Sequence, residues 1–161
     1  MNDYQFAIDM ELDGVKYYTM QAEFYKYNQL QAVCLLLAED ERNHARILTE
    51  KMLARPCQLI VTNTLDKAKN IFADMGDIRI AWKETPSQFD FYKIATKKEQ
   101  QSIDLYTEYL SKSENDAEKE LFRYLIQQEE QHFAVLNELA EMLRHGEEWV
   151  EHAEFGIRKE Y

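Results

Sequence analysis

The chain has 161 residues, 45% of them apolar and 30% charged, with four glycines and two prolines, the make-up of a helical protein rather than a strand-rich one, which needs more turn residues. Its net charge of −11, from 30 acidic against 19 basic side chains, argues against nucleic acid or an anionic membrane as partner, because phosphates would be repelled. No apolar run approaches the ~20 residues that span a bilayer, and the start Met1-Asn2-Asp3-Tyr4 has neither the basic nor the apolar part of a signal peptide, so a single domain over residues 1–161 in the cytoplasm is the expectation.

Residues from about Tyr4 to Lys26 carry Ala7, Met10, Glu11, Gly14, Tyr18 and Gln21 on one helical stripe. A glycine inside a helix costs stability, so Gly14 points to a close neighbouring helix or a bulky group opposite it. Asn28 suits the start of a second helix, with the stripe Leu30, Cys34, Leu37, Glu41, His44, Leu48 and Met52, running to about Ala54 and stopping before Pro56. Asn63-Thr64-Leu65-Asp66 reads as the capped start of a short helix ending near Gly76. The stretch from Arg55 to Pro86 is too long for a tight turn and reads as a crossover. Ser87 caps the next helix, striped by Tyr92, Ala95, Glu99, Ser102, Ile103, Tyr106 and Leu110. Ser113 and Asp116 have capping-box spacing before the last long helix, striped by Phe122, Leu125, Glu129, His132, Leu136, Leu139 and Leu143. Gly146 is expected to end it, with a short extra helix over 147–155 carrying Trp149.

Two of these helices contain Glu-x-x-His: Glu41 with His44, and Glu129 with His132. The motifs lie 88 positions apart, and the same shift takes Glu11 to Glu99, Tyr4 to Tyr92, Tyr18 to Tyr106, Leu37 to Leu125 and Leu48 to Leu136. The chain reads as two copies of one helical hairpin, giving an up-down-up-down bundle in which Glu11 faces Glu99. Residues three apart share a helix face, so each motif points a carboxylate and an imidazole onto a surface otherwise made of leucines. Four buried carboxylates would repel one another. Two divalent cations balance them while leaving both histidines neutral, the form that ligates metal. Mixed oxygen and imidazole donors suit iron or manganese and accept zinc.

The other polar candidates carry less. His145 and His152 have no glutamate three residues earlier and read as surface. Cys34 and Cys57 form no C-x-x-C, so no zinc ribbon or rubredoxin-type site follows from them, and Cys34 reads as a small core residue. Tyr18 and Tyr106 follow Glu11 and Glu99 by two helical turns, as core aromatics or as hydrogen-bond partners of the site carboxylates.

One Glu from each of two helices plus Glu-x-x-His from each of the other two is the ligand set of ferritin-like dimetal proteins. Across residues 4–145 the chain resembles the rubrerythrin-like branch of the ferritin-like di-iron carboxylate superfamily, in its short members without a rubredoxin domain. The resemblance implies an all-α, ferritin-like four-helix bundle. It also implies two iron ions held by Glu11, Glu41, His44, Glu99, Glu129 and His132, with the four glutamates serving catalysis. Their reduced form reacts with hydrogen peroxide or dioxygen. Electrons would come from an external donor such as a rubredoxin-like protein, and a homodimer is the expected assembly. Longer rubrerythrins place a further, exchangeable carboxylate one turn after the third helix's glutamate, where this chain has Ser102. The rival readings are an iron-oxidising storage or delivery protein of ferritin type, and a bundle with a structural metal such as zinc.

Overall fold

The computed structural model describes residues 3–75 and 88–158, with side chains over 3–75 and 90–144. Helix α1 (Asp3–Phe24) packs along α2 (Leu30–Met52), and α4 (Gln88–Lys112) along α5 (Asp116–Arg158), with the short α3 (Thr64–Asp74) lying against α2 and α5. The described residues contain no strand.

The termini show which local signals act. Asn28 Oδ1 accepts the Leu30 N–H at 2.8 Å, satisfying one donor at the start of α2. That helix ends with Ala54 at a φ of 53° and the Arg55 N–H on the Glu50 carbonyl at 2.8 Å, a left-handed stop ahead of Pro56. At α5 the cap is Asn115, whose Oδ1 accepts the Glu118 N–H at 2.8 Å; the Ser113 hydroxyl instead bonds back to the Tyr109 carbonyl. The capping box expected from Ser113 and Asp116 is therefore replaced by an asparagine cap two residues on. Asn63 makes no side-chain cap; the Leu65 N–H at the start of α3 finds Gln131 Oε1 on α5 instead. Helix α3 ends at Asp74 with Met75 as its last capping residue, close to the end expected near Gly76; the expected Ser87 cap lies outside the described residues.

Helix α5 does not stop at Gly146. Its backbone stays helical to Arg158, so residues 147–155 continue it and no separate short helix forms. One interior glycine costs only about 1 kcal/mol, which a long run of good helix formers on either side outweighs. The side chains of His145, Trp149 and His152 lie outside the described residues.

Two apolar clusters fill the bundle, one toward each end. The first joins Ala7 and Ile8 of α1, Ile47 and Leu48 of α2, Tyr106 and Tyr109 of α4, and Leu121, Phe122 and Leu125 of α5. The second joins Tyr18 and Ala22 of α1, Leu30, Val33, Cys34, Leu37 and Ala38 of α2, Phe91 and Ala95 of α4, and Val135, Leu136, Leu139 and Leu143 of α5, together with Ala68 and Phe72 of α3. Membership fixes the directions: the start of α1 shares an end with the end of α2, the end of α4 and the start of α5. Helices α2 and α4 thus run the same way, and the order is up-down-down-up rather than the expected up-down-up-down. Two hairpins related by a pseudo-two-fold put their second and third helices parallel, which is why the chain needs a crossover as long as 55–86. Cys34 is fully buried in the second cluster, and burial pushes its thiol up to about 12. Between the clusters runs one polar layer.

Candidate metal centre

That layer is made of the six residues singled out by the repeat. Glu11, Glu41, Glu99 and Glu129 are between 0% and 4% exposed, and His44 and His132 are fully buried. His44 Nδ1 lies 3.4 Å from carboxylate oxygens of Glu11, Glu41 and Glu129. His132 Nδ1 lies 3.3 Å from oxygens of Glu41, Glu99 and Glu129. Glu41 and Glu129 each present one oxygen to either imidazole, while Glu11 serves only His44 and Glu99 only His132. The result is two four-residue donor groups sharing two carboxylates, each with its donor atoms within 4.8 Å of one another.

Among the described residues, Glu11 Oε2, Glu99 Oε2, both oxygens of Glu129 and the Nδ1 of each histidine are buried without a hydrogen-bond partner. Buried polar atoms are otherwise almost always satisfied, so six such atoms gathered in one buried layer are the mark of a place for cations. The four oxygens and two imidazole nitrogens fit a pair of divalent ions of the iron, manganese or zinc type.

Two tyrosines brace the layer. Tyr18, on α1, donates its hydroxyl to Glu99 on α4, and Tyr106, on α4, donates to Glu11 on α1. Each tyrosine thus crosses to the other hairpin, as the 88-residue repeat requires of a pseudo-two-fold pair. Burial, then the charge of the bonded glutamate, pushes both phenols well above their ordinary range, so they stay protonated donors.

Two partners were not legible in the sequence. His132 Nε2 is 2.9 Å from Asp40 Oδ2, and His44 Nε2 is 3.2 Å from Gln128 Oε1. Asp40 and Gln128 immediately precede the glutamates of the two motifs and are themselves related by the 88-residue shift, which is the signal that would have found them. The crossover holds both: Thr64, first residue of α3, donates to Asp40, and the Thr62 hydroxyl lies 3.3 Å from Gln128 Oε1.

Without cations the cluster resolves its repulsion with protons. Burial pushes Glu41 up to about 8, helped by the charges of Glu11 and Glu99. Burial and the neighbouring glutamates also hold Glu129 well above the carboxylate range. On Glu11 burial acts upward too, but the Glu41 hydrogen bond and His44 outweigh it and hold the group at about 2. Glu99 is likewise lowered, burial being outweighed first by His132. Burial would lower both histidines, yet Glu11 and Glu129 raise His44, and Glu99 raises His132, well above the usual imidazole value. At neutral pH two acids, two carboxylates and two imidazolium ions make the layer neutral.

Gly14 sits against this layer. A Cβ built there would lie 3.3 Å from Glu41 Cδ, so the bulky group inferred opposite it is a site carboxylate. Gly14→Ala removes the helical glycine penalty but presses on a side chain that has to reach both donor groups. The expected outcome is a melting temperature little changed without metal and a metal affinity several-fold weaker, measured by competition with a chelator.

A cavity of about 150 Å³ opens beside the same glycine, lined among others by Gly14, Tyr18, Glu41, Lys98, Glu99 and Ser102. Ser102 adds no carboxylate there; its hydroxyl bonds the Lys98 carbonyl at 3.2 Å and rests 3.7 Å from Met10 Sδ.

Compared with models of protein families, the chain matches Rubrerythrin over residues 5–140. The chain belongs to the rubrerythrin family. No curated protein and no solved structure matched it in the corresponding searches. Membership of the rubrerythrin family agrees with the all-helical bundle and with the buried glutamate and histidine layer, a combination that implies a di-iron carboxylate centre. No described helix is long and apolar enough to cross a membrane.

Proposed function

We propose that the protein is a non-haem di-iron oxidoreductase that reduces hydrogen peroxide or dioxygen with electrons from a separate donor, such as a rubredoxin-like protein. Glu11, Glu41, His44 and Glu129 would hold one ion, and Glu41, Glu99, Glu129 and His132 the other. When bound, two Fe(II) ions supply the two electrons that, with two protons, convert one peroxide to two waters. The observation that carries the reading is the convergence of six buried, unpartnered donor atoms on two overlapping four-residue groups.

The chain's own residues do the rest. Tyr18 and Tyr106 fix the two terminal glutamates by hydrogen bonds, leaving the second oxygen of each without a partner among the described residues. Asp40 and Gln128 fix the ring orientation of the histidines, so that Nδ1 faces the centre and Nε2 carries the hydrogen. The apolar clusters above and below exclude bulk water and larger reductants. The cavity at Gly14 gives a small oxidant a way to Glu41 and Glu99, and its volume of about 150 Å³ is ample for one.

Chelator-stripped protein loaded anaerobically with Fe(II) and mixed with peroxide tests this. Rapid oxidation consuming about one peroxide per two irons is the expected outcome. Iron-loaded protein inert to both peroxide and dioxygen would leave a structural metal as the better reading. Size-exclusion chromatography separates the proposal from iron storage, because mineral needs a closed multi-subunit shell and a homodimer cannot enclose it.

A further inference from the structure

Among the ligand residues and their hydrogen-bond partners, the two halves of the site match under the 88-residue shift in every pair but one; beside them, Gly14 answers to Ser102. Glu11 and Glu99, Tyr18 and Tyr106, Glu41 and Glu129, and His44 and His132 pair like with like; Asp40 pairs with Gln128. Both residues do the same geometric work. Each accepts from the outward nitrogen of the other hairpin's histidine, at 2.9 Å for Asp40 and 3.2 Å for Gln128, and each also lies within hydrogen-bond reach of a crossover threonine. What differs is charge.

A carboxylate accepting the Nε2 hydrogen draws it off the ring and leaves Nδ1 the richer donor, whereas a neutral amide polarises the ring far less. It also places one further negative charge beside that ion in a buried, weakly screened layer. Resting on the dimetal reading above, we propose that Asp40 makes the two metal positions unequal: the ion held through His132 binds first and more tightly than the ion held through His44. Asp40 is thus a positioning and tuning residue that acts through His132.

A second observation lies on the same half. The cavity is lined by Glu99, which faces only His132, and by the shared Glu41, but not by Glu11, which faces only His44. The position that Asp40 supports is therefore also the one a small molecule reaches. A buried negative charge favours the more highly charged state of a nearby metal, so the same residue would favour electron release on the accessible side.

Cobalt(II), added at one equivalent per chain before crystallisation, reports the two positions separately through its anomalous scattering. In the native chain the position at His132 should be occupied about tenfold more than that at His44, the size of effect an outer hydrogen-bond partner exerts. Asp40→Asn keeps an acceptor for His132 while removing the charge, and should bring the two occupancies close to equal. Gln128→Glu should raise the His44 position, and the double variant should reverse the order; a purely structural role for Asp40 would not move the preference onto the other ion. Equal occupancies in the native chain, a preference for His44, or a preference that survives Asp40→Asn unchanged would each overturn the inequality alone. Absence of cobalt from both positions even in excess would overturn the dimetal reading, and the inequality with it.

Discussion

Glu41→Gln is expected to stabilise the metal-free protein while removing its ability to hold two ions. In the native chain Glu41 is fully buried beside Glu11 and Glu99, and these together push its carboxyl up to about 8. In the unfolded chain it titrates near 4.3, so keeping it protonated at pH 7 opposes folding by about 4 kcal/mol. Glutamine has nearly the shape of the protonated acid and carries no such penalty. The gain should grow from about pH 4, where the acid is protonated in both states, up to about pH 8. Metal binding moves the other way, because Glu41 presents one oxygen to each donor group, and replacing a ligand shared by both ions weakens both. Urea denaturation of the chelator-treated proteins and a metal titration of each measure the two effects. A metal-free variant less stable than the native chain would mean that Glu41 is held by favourable contacts and not against repulsion.

The second large effect is a reversal of pH dependence on metal loading. Glu129, His44 and His132 all have raised values in the folded, metal-free chain, as does Glu41. Each therefore binds a proton more tightly when folded than when unfolded, and contributes stability below its unfolded value that is lost as pH rises through the folded one. From about pH 4.3 through 8 the metal-free protein should become steadily less stable. Glu11 and Glu99 are lowered, and their contribution disappears only on acidification, with Glu11 titrating at about 2, outside this window. In the loaded protein the ions replace the protons on two acids and two imidazolium ions, so binding should release about four protons per chain near pH 7. Linked binding then makes stability rise with pH. Thermal melts of the stripped and loaded forms across pH 5–8 should diverge, and calorimetric titrations in buffers of different ionisation enthalpy should count the protons. Parallel curves, or a metal-free protein that gains stability over this range, would contradict the protonation pattern.

The six donor residues were legible because they break a rule the rest of their stripes obey. Glutamate and histidine recur at helical spacing among leucines, twice, with a constant shift, and nothing but a buried polar function explains that. Tyr18 and Tyr106 were legible as candidates only; that each crosses to the opposite hairpin needed the packing of α1 against α4. Asp40 and Gln128 were hidden because a polar residue next to Glu-x-x-His looks like ordinary helix surface, and its histidine partner is on another helix. The direction of α4 was misread for a related reason. Hairpins and the crossover length are local features, but whether the crossover returns the chain to the same end is decided by which side chains share a cluster. Gly146 failed as a stop because a glycine marks a helix end only when the chain beyond it turns away, and here the backbone continues to Arg158.

The central claim is that the polar layer is a two-metal site, and counting ions tests it most directly. Chelator-stripped protein titrated with Fe(II) without oxygen should saturate at about two ions per chain, and Glu41→Ala should lose or weaken at least one of them. No tight binding by the native chain, or a stoichiometry and affinity unchanged in Glu41→Ala, would contradict the account.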